Sequence, residues 1–434
     1  MTDPTLILLM IALFVLIGFG IPIGYSLFAI GFAGVTLNLG FSQAVGLLRS
    51  TLLSQSQSFT FATIPMFVLM ALILNNSGLL DEVFDTMDKW TRGVVPGGLA
   101  IGTTVSNGVF AALSGSSAAA AAAISKIAYP QLTEKGYHDT LAMGTVAASG
   151  TFAMMFPPSI ALIIYGILTD TSIGALFIAG IVPGFMTVFV YLLVILTWAK
   201  AKPESVGTDQ VSTDVFSWRE RLTSLALIWP VAALVVLVLG GIYMGVMTPT
   251  EAGAVGAAGS LILAVVLYDL SLGDFNDALI DTANITAYIF IMIIGATFFG
   301  RFIALEGVIN DLLDFLLALP ISGIHLVLLV LAFYVIVGMF LDQLAVLVLT
   351  LPVTYPLFVT NLGYDSLWFG IIIIKTIEIG MITPPIGINA YIASNAVDID
   401  ASITFKGAVP FIIADIGVIG ILLMFPEIVT FLPS

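Results

Sequence analysis

Residues 172 to 198 contain no charged side chain, and apolar runs of similar character recur at 5 to 37, 61 to 75, 222 to 247, 250 to 268, 284 to 300, 324 to 341 and 407 to 425. Runs of this kind match the hydrocarbon core of a bilayer. Lipid offers the backbone no hydrogen bonds, so a spanning segment must satisfy its own amides and carbonyls, which a helix does internally. The runs are too long and unbroken for barrel strands. The predicted class is therefore an all-α polytopic integral membrane protein, with lipid as its surroundings. Its charged fraction agrees, at 9% of 434 residues, where soluble domains carry about 25%. The first run exceeds the apolar region of a signal peptide and is kept as part of the folded chain.

Several chemistries are excluded early. Without cysteine there are no disulfides, thiolate metal sites or thiol nucleophiles. A formal charge of -15 argues against nucleic acid as a partner. No phosphate-binding glycine loop with its lysine is present, so the chain itself is not expected to hydrolyse ATP.

An internal repeat organises the rest. An offset of 227 carries Pro157-Pro158 onto Pro384-Pro385, Gly180 onto Gly407, Pro183 onto Pro410 and Gly136-Tyr137 onto Gly363-Tyr364. The amphipathic stretches at 79 to 98 and 306 to 323 occupy matching places. The expected plan is an N-terminal membrane helix and connection (1-59) and a first repeat (60-185). A linker with two connecting helices (186-287), a second repeat (288-412) and the end of a last membrane helix (413-434) follow. Lys89, Arg92, Lys126, Lys135 and His138 surround the first Gly-Tyr loop, and Lys200, Lys202, Arg219 and Arg221 mark the linker. The second Gly-Tyr loop, 358 to 366, has no Lys or Arg. The positive-inside rule then puts the first loop and the linker in the cytoplasm and the second loop outside. Inverted repeats with helices broken near the midplane are a plan of secondary transporters.

The Pro-Pro pairs sit inside "GTFAMMFPPSIALIIYG" (150 to 166) and "EIGMITPPIGINAYI" (378 to 392). Proline has no N-H and clashes with the carbonyl four residues earlier. The expectation is that Ala153, Met154, Gly380 and Met381 have their carbonyls freed, with Ser149, Gly150 and Thr383 beside them. Freed carbonyls in a membrane need a partner, and a hard cation such as Na+ is one. Upstream of each break lies a pair of short apolar arms. "FAALSGSSAAAAAAISK" (110 to 126) sets Ser114, Gly115, Ser116 and Ser117 between its arms, and "MFLDQLAVLVL" sets Asp342 and Gln343 opposite Ser116 and Ser117. Both read as re-entrant hairpins, and the alanine run 118 to 123 as a smooth packing face along which a neighbour could slide. Arg301 and Asp342 are the best-placed intramembrane ionisable residues. Arg301 suits a carboxylate through its planar fork; alternatively it snorkels, while Asp342 caps a half-helix. Lys375 and Glu378, one turn apart, read as a local pair.

These motifs carry a resemblance. "SGSSAAAAAAI", "GTVAASGTFAMMFPPSIALIIYG", "AGIVPG", "MTPTEAGAVGA", "GMFLDQLA" and "EIGMITPPIGINAY", in that order, resemble the large membrane subunit of tripartite ATP-independent periplasmic (TRAP) transporters, the dicarboxylate and sialic acid permease group. The resemblance spans essentially the whole chain. It implies a sodium-coupled importer of an organic acid in the bacterial inner membrane, working by an elevator movement. It also implies two partners, a small four-helix membrane subunit, here a separate polypeptide, and a periplasmic substrate-binding protein. Two or more Na+ sites are implied, around Ser114, Gly115 and Ser116 with Gly144, Ser149 and Gly150, and around Gly338 and Asp342 with Gly380 and Thr383. Substrate is placed between the hairpin tips, with Arg301, Asp342, Ser116 and Ser117 as its candidate contacts and no catalytic group. One alternative is a sodium-coupled organic anion transporter of the same superfold that works without a binding protein. A remote one is an intramembrane serine hydrolase using a serine of "SGSS", with His325 as the base at membrane depth.

Overall fold

The computed structural model describes residues 4–207, 216–318 and 323–433. Among them all regular structure is helical apart from one isolated bridge, Tyr137 to Val206. The run 5 to 37 is not one span but two helices, α1 (Pro4–Gly18) and α2 (Ile23–Leu39). Gly20 at φ 79° and Pro22, extended before α2, turn the chain where composition alone reads as continuous. A further helix, α3 (Phe41–Gln57), occupies what the sequence suggested was a connection. Next come α4 (Thr63–Asn76), the amphipathic α5 (Leu79–Thr91), α6 (Gly98–Ser114), α7 (Ser117–Glu134), α8 (Asp139–Ser149), α9 (Ile160–Thr169) and α10 (Ile173–Ala201). The middle of the chain forms α11 (Trp218–Leu225), α12 (Trp229–Tyr243), α13 (Pro249–Leu267), α14 (Leu272–Leu305) and α15 (Val308–Ala318). Then α16 (Gly323–Gly338), α17 (Gln343–Tyr355), a π turn at Pro356–Asn361, α18 (Ser366–Met381), α19 (Ile388–Ala396), α20 (Ala401–Met424) and α21 (Glu427–Thr430) complete it. Linker residues 208 to 215 and residues 319 to 322 of the second amphipathic stretch lie outside the described residues.

Six of the described helices, or seven if the bent pair α11 and α12 counts as one, are long and apolar enough to cross a membrane. Leu8, Phe14, Phe41, Val236, Val266 and Ile413 point outward, while Asn107, Ser149, Lys375 and Asp415 are buried. That distribution suits lipid outside and polar function inside. α2 and α14 approach closely because a Cβ on Gly31 would lie 2.6 Å from the Phe299 amide nitrogen. α4 and α13 are joined by a hydrogen bond between the Thr63 and Thr250 hydroxyls (2.6 Å).

The order of α-helices α6 to α10 is paralleled by α16 to α20, with a 3-10 turn at Gly150–Met154 in the first set and the π turn in the second. α10 serves as a ruler between the two sets, being 29 residues long, about 43 Å at helical rise. At its C-terminal end the His138 amide donates to the Ser205 carbonyl (2.9 Å), and Gly97 lies beside Ile195 and Ala199. Both ends of the α6–α7 hairpin therefore lie at that end. At the N-terminal end the Thr171 and Ser366 hydroxyls are bonded (2.6 Å), and Tyr355 reaches the same Ser366 (3.2 Å). Gly323 abuts the Tyr364 hydroxyl, so both ends of the α16–α17 hairpin lie there. The two hairpins thus enter from opposite ends of α10. The two Gly-Tyr loops therefore lie at opposite ends of α10.

Basic residues follow the first of these ends. The Arg221 guanidinium donates to the Lys89 carbonyl (3.0 Å), and the Trp90 indole donates to the Arg221 carbonyl (3.0 Å). α11 is thereby clamped to α5, whose last turn abuts the start of α6 at Gly98. Lys202 and Lys406 line one cleft with Thr140 at the same end.

Candidate functional site

The hairpin tips meet in the middle of the molecule. Ser117 Oγ donates to Gln343 Oε1 (3.1 Å), joining residues 226 apart that occupy equivalent places in the two repeats. Contact between equivalent residues is the signature of a two-fold relation. Each tip also seats on its own broken helix. Gly115 takes φ 59°, and a Cβ there would lie 2.6 Å from the Pro158 carbonyl oxygen, so only glycine turns the first tip against α9 without strain. In the second repeat the Gly387 amide donates to the Met339 carbonyl (3.0 Å), and a Cβ on Gly380 would lie 2.8 Å from Gly338 Cα.

Four helix N-termini converge here: α7 and α17 from the tips, α9 and α19 from the breaks. Ser116 caps α7, its Oγ accepting from the Ala119 amide (3.4 Å), and Asp342 caps α17, accepting from Leu344 (3.0 Å) and Ala345 (3.2 Å). Ser159 caps α9, and Gly387 precedes α19 in a left-handed conformation. Helix N-termini carry partial positive charge and free amides, which suit an anion. The C-terminal ends of α6, α8, α16 and α18 bring carbonyls to the same region, and these suit a cation.

The breaks themselves differ from the sequence expectation. The Met154 carbonyl accepts from Ser159 Oγ (2.6 Å), and the Gly380 carbonyl accepts from the Thr383 amide (3.0 Å). Two of the four carbonyls read as freed by proline are thus taken by neighbours. Each chain turns tightly enough after its break to bring a local donor back. Thr383 Oγ1 also turns inward, donating to Ile379 (2.5 Å). Unpaired oxygen lies elsewhere. Ser114 Oγ, Thr145 Oγ1, Asn107 Oδ1 and Ser106 Oγ are buried with no hydrogen-bond partner. Ser149 accepts from Asn107 Nδ2 (2.9 Å) and donates to the Thr145 carbonyl (2.7 Å), so it anchors this polar patch. Asn389, fully buried in α19, has neither side-chain atom paired.

Four expected features have other surroundings. Gly144 packs backbone to backbone on Gly407, where α8 crosses α20, six residues before the break. Arg301 donates to the Leu47 carbonyl on α3 (3.3 Å). Its neighbour Gly300 packs on Pro352, ten residues along α17 from Asp342, about 15 Å away. The structure therefore does not bring Arg301 to the tips, and Asp342 acts as a cap. Replacing Arg301 by lysine is expected to leave the half-saturating substrate concentration unchanged in an uptake titration; a tenfold rise would return Arg301 to the binding site. The alanine run also has fixed neighbours, since a Cβ on Gly150 would lie 3.0 Å from Ala121 Cβ. It packs the hairpin onto the broken helix and is not a free sliding face. His325 begins α16, 13 residues before Gly338, about 20 Å from the serines, and so provides no base for them.

One cluster was missed in the sequence. Lys375 Nζ donates to Glu378 Oε2 (2.6 Å) and also to Asp415 Oδ1 (2.7 Å), and Tyr191 Oη donates to Asp415 Oδ2 (2.7 Å). All four residues are at most 1% exposed. They tie α10, α18 and α20 together. A lone Asp within the apolar run "FIIADIGVIG" was the available signal.

A family model for the DctM component of tripartite ATP-independent periplasmic transporters matches residues 10–428. The chain belongs to that family. It is similar to the sialic acid TRAP transporter large permease of Vibrio cholerae, 31% identical over 96% of this chain and 95% of that one. It is also similar to the C4-dicarboxylate large permease of Pseudomonas aeruginosa, 33% identical over 94% and 92%. A third relative is the ectoine/5-hydroxyectoine large permease of Ruegeria pomeroyi, 31% identical over 99% and 98%. Among solved structures the YdaH transporter of Alcanivorax borkumensis matches with a TM-score of 0.66 at 13% identity, over 89% of this chain and 90% of that one. That likeness concerns the fold. This TRAP large permease is thus a multi-pass inner-membrane transport subunit and not an enzyme, and its family implies a small membrane subunit and a periplasmic binding protein.

Proposed function

We propose that this TRAP permease imports an organic acid anion, such as sialic acid or a C4-dicarboxylate, coupled to Na+ and delivered by a periplasmic binding protein. The observation that carries this reading is the convergence of four half-helix N-termini on the contact between Ser117 and Gln343. Their partial charges favour an anion between the tips, with Ser116 and Ser117 beside it. Na+, a transported ion, is assigned to two regions. One lies among Ser114, Gly115, Ser116, Ser149 and Gly150, where the unpaired buried oxygens of Ser114, Thr145 and Asn107 support it. The other lies among Gly338, Asp342, Gly380 and Thr383. The lysine-rich end of α10 is taken as cytoplasmic. The hairpins and broken helices would move as an elevator against α2, α4, α13 and α14.

The test is uptake into proteoliposomes holding the chain and its small subunit, with labelled sialic acid or C4-dicarboxylate presented on a binding protein. Uptake is expected only with an inward Na+ gradient and the binding protein present. Equal uptake in potassium overturns the sodium coupling, and uptake by the chain alone overturns the tripartite assignment.

A further inference from the structure

A cleft of about 690 Å³ opens on the surface between the C-terminal end of α10 and the first turns of α20. Val194, Val409 and Pro410 give it an apolar side, and Lys202 and Lys406, both exposed, give it two cations. No acidic residue lines it. The acids nearest in sequence to its lining have other tasks, since Asp139 accepts from the Tyr129 hydroxyl (2.9 Å) and Asp400 caps α20 through the Ser402 amide (2.7 Å). Among the described residues neither lysine forms an ion pair. Two ammonium groups in one cleft without a counter-charge attract an anion. The surroundings decide which anion, because the cleft continues into two lipid-facing stripes, Phe185, Phe189 and Leu193 on α10 and Val409, Ile413 and Ile416 on α20, all exposed. Steps of three and four residues keep each stripe on one helix face. Trp198, in the lining beside the lysines, has the amphipathic ring that favours the boundary between headgroups and acyl chains.

We infer that this cleft binds an anionic phospholipid of the leaflet at the lysine-rich end of α10, with its phosphate on Lys202 and Lys406 and its acyl chains along α10 and α20. Basic pockets between membrane helices take lipid headgroups in this way. A soluble anion would use the lysines and leave the apolar side of the cleft empty. Deeper in the fold α10 and α20 are already joined by the bond from the Tyr191 hydroxyl to Asp415 (2.7 Å), and the lipid joins them again at the membrane surface.

The test is native mass spectrometry of the delipidated permease complex, titrated with phosphatidylglycerol, phosphatidylcholine or inorganic phosphate. The wild type is expected to take up its first phosphatidylglycerol at concentrations where neither of the other two binds. Lys202→Gln with Lys406→Gln removes both cations and is expected to weaken that first site by about thirtyfold. Val409→Trp fills the apolar side and keeps the charges, and it is expected to weaken the same site. All three positions are exposed, so the variants keep the fold. Equal binding of phosphatidylcholine, inorganic phosphate binding as tightly as the lipid, or unchanged phosphatidylglycerol affinity in either variant overturns the inference. Binding by the chain without its small subunit but not by the complex also overturns it, since the small subunit then covers the cleft.

Discussion

Replacing Lys375 by methionine is expected to destabilise the protein by about 3 to 5 kcal/mol, because it leaves a buried carboxylate without its counter-charge. Lys375 is 0% exposed and bonded to carboxyls on two helices. Its loss removes the link between α18, which carries one break, and α20. Thermal unfolding of the solubilised complex, followed by size-exclusion chromatography, reads this directly. The double variant Lys375→Met with Asp415→Asn is expected to recover part of the midpoint, since it removes one of the two buried carboxylates left without the lysine. A single variant as stable as the wild type would mean that the cluster is hydrated or neutral, against its burial. A double variant no better than the single one would place the loss in packing and not in charge.

The second large effect is expected at Gly407. A Cβ there would enter the Thr140 carbonyl and lie 2.8 Å from Gly144 Cα, both on α8. Gly407→Leu must therefore force α8 and α20 apart, and overpacking of this kind costs about 1 to 3 kcal/mol or more. Because α20 also carries Asp415 and α8 leads to Ser149, the displacement spreads to the ion pair and to the first break. Loss of uptake together with a lowered unfolding midpoint is the expected outcome. Gly417→Leu is the control, since nothing lies within 4 Å of that position. Equal behaviour of the two variants would show that the α8 and α20 contact is not needed.

Much of this architecture was legible in the chain because lipid makes composition informative. A segment that must satisfy its own backbone has to be helical, so uncharged runs reported spans. Paired prolines reported breaks. Ser116 and Asp342 were legible as hairpin-tip residues for the same local reason, since a short polar side chain caps the helix that follows it. The boundary between α1 and α2 was harder to see, because Gly20 and Pro22 sit inside apolar sequence and change direction without changing polarity. What a run of residues cannot report is its neighbour across a helix interface, which depends on how two helices are rotated and shifted against each other. Arg301 looked like a substrate ligand and lies against Leu47. The Met154 and Gly380 carbonyls looked free, yet Ser159 and Thr383 fold back onto them. Lys375 looked paired within its own turn, while its second partner, Asp415, is 40 residues away on another helix. Local chemistry chose the elements and their ends; interhelical register chose which polar groups would meet, because a rotation of one helix carries a side chain from the interior to the lipid.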